Sequence, residues 1–174
     1  HFSARLTVAF VAAGVVAKKM LPPGIAFDTR LTEIGGCTDP ARFDEVLRAA
    51  AADLDSVGGI IECRIHGMPA GIGDPVFEKL NANLAKAICS IGAVKGFEIG
   101  DGFSAARSQG SVNNDAFTTD AAGHITKATN HAGGILGGMA EGARLTFRDH
   151  DLRLIFISGF LGFFAFGAFD SLES

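Results

Sequence analysis

Residues 70–99 read AGIGDPVFEKLNANLAKAICSIGAVKGFEI. In that order the segment spells a turn, a capped helix, a second turn and a strand. Asp74 and Pro75 form a helix start, because an Asp side chain accepts from the free amides of a first turn and Pro suits the first helical position. Phe77, Leu80, Leu84 and Ile88 then recur three or four residues apart as one apolar stripe, with Glu78, Lys79, Asn81 and Lys86 off it. From Lys95 to Ile99 the period changes to two, with Phe97 and Ile99 on one side and Glu98 on the other, which predicts a strand.

Upstream the same alternation of element types continues. Ala4 to Met20 is apolar nearly all round, broken only by Arg5, Thr7, Gly14, Lys18 and Lys19. It predicts a buried helix with Ser3 as N-cap and two lysines at the negative end of its dipole. Pro22, Pro23 and Gly24 stop it. Ile25, Phe27 and Leu31 alternate with Asp28, Arg30 and Thr32 as a half-buried strand. Asp39 and Pro40 start a further capped helix with the stripe Phe43, Val46, Leu47, Ala50 and Leu54, ended by Gly58 and Gly59. Ile61, Cys63 and Ile65 alternate with Glu62 and Arg64 as a second one-sided strand. Helices interleaved with alternating strands predict an α+β fold, a layered sandwich of helices with antiparallel sheet, over a doubly wound parallel sheet.

Composition narrows the function classes. A chain of 174 residues with 48% hydrophobic content and 20% charge reads as globular, long enough for one domain with its own core. A net charge of −4 without clustered Lys and Arg argues against a nucleic-acid partner. Cys37, Cys63 and Cys89 are odd in number and far apart, which disfavours a disulfide framework or a zinc site and fits a reducing cytoplasm. His66, His124, His131 and His150 show no metal-ligand spacing, so no metal site is expected. His1 to Phe10 lacks the order of a secretory signal.

Several stretches together carry more than any one of them. GDPVFEKLNANLAKA followed by SIGAVKGFEIGDGF, then Gly110, Ser111, Asn113 and Asp115 as a GS.N.D pattern, then NHAGGILGG at Asn130 to Gly138, resemble in sequence and spacing the signatures of chorismate synthase, a flavin-dependent family. HFSARLT at the start is similar to that family's flavin-contacting turn, and AAGVVAKKML to the helix after it. The similarity covers 1–148 as a partial domain.

The resemblance implies conversion of 5-enolpyruvylshikimate 3-phosphate to chorismate and phosphate by 1,4-anti elimination with reduced FMN, in a cytoplasmic homotetramer, with NADPH as one source of reducing power. It implies flavin contacts at His1, Phe2, Ser3, Gly92, Ala93 and Gly137, and puts Ser3 and Arg5 near the substrate phosphate. Without it, NHAGGILGG reads as a tight structural turn ahead of a cofactor loop, and Ser3 with Arg5 as an N-cap beside a solvated cation ahead of a phosphate site. No catalytic residue carries over. The family's two proton-handling histidines belong to GxSHG and RPxHAD motifs, and neither occurs in this sequence.

Beyond Arg148 the expected KPT-type phosphate loop is replaced by DHDLRLIFISGFLGFFAFGAFDSLES. Residues 149–174 are therefore read as an atypical apolar tail, from a reading frame disturbed near Asp149, and the start at His1 as a position inside a longer protein. Leu154 to Phe169 is uncharged, but it is short for a spanning helix and poor in helix formers, which argues against membrane insertion. The expectation is an incomplete enzyme with negligible turnover. The alternatives are a non-catalytic FMN- or phosphate-binding module and an inactive fragment without a ligand.

Overall fold

The computed structural model describes residues 7–74 and 76–142, with the backbone of 145–150. Its framework is a four-stranded, wholly antiparallel sheet. The strands are β1 (Ala26–Ile34), β2 (Gly59–His66), β3 (Gly96–Ile99) and β8 (Leu145–His150), in the order β1-β2-β8-β3, while β4 (Phe117–Thr119) pairs with β5 (Ile125–Lys127) and β6 (Ile135–Leu136) with β7 (Met139–Ala140). Helices α1 (Val8–Met20) and α3 (Leu80–Cys89) cover one face. Val11 of α1 packs with Leu31 and Ile61, and Lys18 lies over the Phe27 ring. The α3 stripe meets Cys63 and Ile65 in the main core. This is the expected layering of helices on antiparallel sheet. Helix α2 (Phe43–Ala52) packs beside β1.

Alternation sets which face of each strand is buried. In β1, Phe27, Thr29 and Leu31 turn inward while Ala26, Asp28 and Arg30 are exposed. In β2, Ile61, Cys63 and Ile65 are buried beneath the helices. Leu80, Leu84 and Ile88 complete that core from α3, Ile88 with 0% exposure, while Phe97 and Ile99 of β3 pack against it. Burial of one such aliphatic side chain contributes about 2 kcal/mol.

Four expectations need correction. Helix α3 begins at Leu80, not at Asp74. The Asp74 amide donates to the Glu78 carbonyl at 3.0 Å, closing a turn, and the Leu80 amide is taken by the Gly138 carbonyl at 2.7 Å, so a distant backbone group caps the helix. An Asp-Pro pair serves a turn as readily as a helix start. Phe77 consequently leaves the stripe and is 87% exposed, while Pro75 itself lies outside the described residues.

Helix α1, expected to be buried all round, buries only Gly14 and Ala17 and exposes Val8, Phe10, Val15, Val16 and Met20, because one layer of sheet can cover only one face of it. Lys18 and Lys19 do sit in its last turn, and Thr7 occupies the N-cap. Asp39 caps as expected, accepting from Ala41 N at 3.0 Å, but over a short 3-10 turn (Pro40–Arg42) that leads into α2. Phe43, Val46, Leu47 and Ala50 form its half-buried stripe. Leu54 falls past its end with φ +55 and 96% exposure, and Gly59 begins β2 instead of ending the helix. Finally, β2 is not wet on its polar side. Glu62 is 2% exposed, accepting from Arg30 Nη2 at 2.6 Å and Arg64 Nε at 2.7 Å.

Candidate functional site

The glycine-rich segments converge at one end of α3. Strands β6 (Ile135–Leu136) and β7 (Met139–Ala140) form a hairpin whose two-residue loop is Gly137-Gly138, with φ of +62 and +92. Positive φ at both loop positions is the geometry that fits the twist of a tight hairpin, and it calls for glycine. The Gly138 carbonyl caps α3, and the stem of Lys79 lies over Gly138. The 70–73 segment then zips onto the hairpin: Gly71 N donates to Ala140 O and Ala140 N to Ile72 O, both at 2.8 Å. Ile135 and Ala140 enter the core while Leu136, Gly137 and Met139 at the tip stay exposed. Space beside the Gly137 Cα is open.

Carboxylates hold the base of this hairpin. Asp115 accepts from Thr129 Oγ1 at 2.7 Å, His131 N at 2.7 Å and Ala132 N at 2.9 Å. Burial raises its pKa, but the three donors and nearby Lys127 outweigh that and hold the group below the ordinary carboxylate range. On the other side, Asp101 accepts from the His131 ring Nδ1 at 2.6 Å, and its own amide donates to the His131 carbonyl at 2.9 Å. Gly100 permits this approach, since a Cβ there would collide with the His131 carbonyl oxygen. The other foot of the hairpin is Glu141. Its amide donates to Gly134 O at 2.9 Å, and its carboxylate pairs with Lys127, whose ammonium also faces the Phe117 ring. Among the described residues, Glu141 Oε2 and Asn113 Oδ1 are buried acceptors with no donor.

Gly92 and Ala93 stand elsewhere. They lie in the exposed turn after the C-terminal end of α3, closed by Val94 N donating to Ile91 O at 3.3 Å. Ala93 holds φ +74, a left-handed conformation that costs a non-glycine residue about 1 kcal/mol. Such strain is found where a backbone must face something specific. Helix α3 has 10 residues, so this turn and the Gly137 hairpin are separated by about 15 Å of helix. His1, Phe2, Ser3 and Arg5 lie outside the described residues. The anchors Lys127 and Glu141 escaped the sequence reading, and Asp101, Asp115 and His131 entered it only as parts of motifs. Nothing periodic marks a carboxylate that serves distant amides.

A family model described as chorismate synthase matches residues 1–150. The chain belongs to the chorismate synthase family. It is 50% identical over 148 residues to the chorismate synthase of Chitinophaga pinensis, which takes in 85% of this chain and 43% of that protein. With the chorismate synthase of Agathobacter rectalis it shares 49% identity over 169 residues, 84% of this chain and 46% of that one. The chain thus spans under half the length of these relatives. Its fold is similar to the crystal structure of chorismate synthase, with TM-score 0.86 and 25% identity over 98% of this chain and 63% of the other.

The described residues fit the ring of the flavin that this family implies better than its phosphate. Gly137 and Gly92 leave open space beside their bare backbone, against which a planar ring could lie. For an anion, the hairpin end offers the Lys79 side chain. No group of three or more His, Cys, Asp or Glu that could hold a metal ion occurs among the described residues, and no helix there is long and apolar enough to cross a membrane.

Proposed function

We propose that this chain forms part of the active site of a chorismate synthase, a carbon-oxygen lyase that takes 5-enolpyruvylshikimate 3-phosphate to chorismate and phosphate by 1,4-anti elimination. The reading rests on the family match over residues 1–150, joined to a glycine hairpin whose tip offers bare backbone to a ligand. In this reading Gly137, Gly92 and Ala93 line the flavin, and a single nucleotide touching both turns runs along α3. His1, Phe2 and Ser3 extend the flavin contacts, and Ser3 with Arg5 holds the substrate phosphate. Bound reduced FMN supplies electron density as the phosphate leaves. The chain's own share is to orient and shelter: backbone amides and carbonyls meet the ring edge, and the exposed apolar Leu136 and Met139 beside Gly137 exclude water once the pocket closes over them.

The same reading carries the finer expectations of the family: a cytoplasmic homotetramer, NADPH as one reductant, and residues 149–174 as an atypical tail, although its first two residues, Asp149 and His150, still pair in β8. The proton-handling histidines are not among this chain's residues, so the 174-residue chain alone is expected to bind but not to turn over. A thermal-shift titration with reduced FMN under anaerobic conditions, run beside a chorismate-formation assay, tests both parts. A ligand that binds only the native state stabilises it by about 2.7 kcal/mol at a hundredfold excess over Kd. Absence of any shift overturns the flavin reading in favour of a ligand-free fragment, and chorismate production by the chain alone overturns its incompleteness.

A further inference from the structure

We propose that Asp101 and Asp115 are positioning residues that set the Gly137 tip of the β6–β7 hairpin through their joint grip on His131. The inference deepens the flavin reading and rests on it. Three polar groups of His131 are engaged by the two aspartates. Its amide donates to Asp115 Oδ1 at 2.7 Å, its carbonyl accepts from the Asp101 amide at 2.9 Å, and its ring Nδ1 donates to Asp101 Oδ2 at 2.6 Å. The other Asp115 oxygen takes Ala132 N at 2.9 Å. The chain then turns through buried Gly133 and Gly134, with Gly133 N donating to Asn130 O at 3.1 Å, and enters β6 at buried Ile135.

Core packing alone does not require so many bonds. Of the hairpin, only Ile135 and Ala140 belong to the core, whereas the tip residues Leu136, Gly137 and Met139 are exposed and join no apolar cluster among the described residues. Two half-buried carboxylates carry a desolvation cost that an uncharged turn would avoid. What they supply in return is geometry: charge-assisted bonds to successive amides leave residues 131–132 one orientation, and the hairpin inherits it three residues later. The second foot is held in the same manner, by Glu141 N on Gly134 O and by the Lys127–Glu141 ion pair. Asp101 also fixes the His131 ring, and with it the donor nitrogen, which makes the ring's role testable apart from its bulk.

The test uses the 174-residue chain and three variants: Asp115→Asn, His131→Gln and His131→Asn. Each is read by anaerobic titration with reduced FMN, by hydrogen exchange of the 136–139 amides without flavin, and by the urea midpoint. An Asn amide nitrogen can stand where Nδ1 stands, whereas a Gln amide reaches the Nε2 position. The expected result is that Asp115→Asn and His131→Gln weaken reduced FMN about tenfold or more and speed exchange at the tip, while His131→Asn stays within about threefold of the parent. Unchanged affinity and exchange in a folded Asp115→Asn would overturn the proposal, as would His131→Asn falling as far as His131→Gln. If Asp115→Asn does not fold, the two His131 variants decide. A parent chain that ignores reduced FMN refutes the flavin reading and this proposal with it. A parent that binds, with variants that bind equally well, refutes only the proposal.

Discussion

The two ends of this molecule are held by different physics. The sheet and its helices are joined by apolar contact: Cys63 and Ile65 lie with Leu84 and Ile88, Ile61 packs with Val11, and any well-shaped hydrocarbon would serve there. The glycine loops around the β6–β7 hairpin contribute little to that core and are held by directed bonds from Asp101, Asp115 and Glu141 to backbone amides or side chains. Packing is cooperative and tolerant, so it suits a scaffold. Charge-assisted bonds have direction, so they suit a loop that must present bare backbone in one pose. The contrast separates what keeps the chain folded from what aims it.

The largest effect should come from the packed end. Ile88 is fully buried at the centre of the core, and Ile88→Ala leaves a cavity that adjacent Leu84 and Cys63 cannot fill, costing about 4 kcal/mol. A urea titration should find the whole chain destabilised, with hairpin and sheet signals moving together. Separate transitions would mean that the two ends are not one cooperative unit. Next is Gly100→Ala, at the seam between them. It combines φ +56 with a collision against the His131 carbonyl, and the strain and overpacking together are worth about 3 kcal/mol. Exchange should accelerate first at residues 131–134 and only later in β2. Equal acceleration in both would erase the distinction drawn here.

A smaller effect is expected at Glu62, where the sheet borrows the polar method of the loop end. Its carboxylate is buried between Arg30 and Arg64, but the Arg30 side chain is 49% exposed, so solvent screens part of the pairing. Glu62→Gln keeps the shape and loses the charge. The loss should be about 2 kcal/mol, measured as a lowered urea midpoint with β1–β2 pairing intact by exchange. In register, Arg30 faces Glu62, Glu62 faces Arg148, and Arg148 faces Glu98 across all four strands. A neutral or stabilising outcome would show that the pairing of Glu62 with Arg30 and Arg64 does not contribute to holding the sheet.

The same division governs how much could be read in the sequence. Apolar periodicity is local, and it gave up the α3 stripe of Leu80, Leu84 and Ile88, the inward residues of β1 and β2, and the layered fold. The start of α3 was misplaced because its cap is the Gly138 carbonyl, a partner brought in by tertiary structure. Burial of Glu62 was invisible because its second partner, Arg30, lies on β1, 32 positions away, and no sequence spacing pairs the two. The exposed face of α1 was misread as buried because apolar content does not tell how many layers are available to cover it. At the candidate site the glycines were legible through motif order, whereas the carboxylates that hold them were not. Asp101 serves His131, thirty positions away, and no period encodes such a pairing.

Cys63 offers the finest test, since it places an ionisable group inside the end held by packing. Burial pushes its thiol up to about 11, only partly countered by the Thr29 hydroxyl donating to Sγ at 3.4 Å. In the unfolded chain a thiol ionises near 8.5. The folded pKa is therefore the higher one, and stability is unaffected at neutral pH but falls as pH rises from the unfolded value toward the folded one. At pH 9.5 the loss should be about 1 kcal/mol. Cys63→Ala removes the titration, so the decline from pH 8 to 10 should be shallower in the variant than in the parent, whatever its own cavity costs. Thiol reagents should meanwhile label exposed Cys89 at once and reach Cys63 only as the chain opens. Parallel pH slopes, or labelling of Cys63 as fast as Cys89, would mean that water reaches the sheet–helix interface, and the apolar end would then be no tighter than the loops it supports.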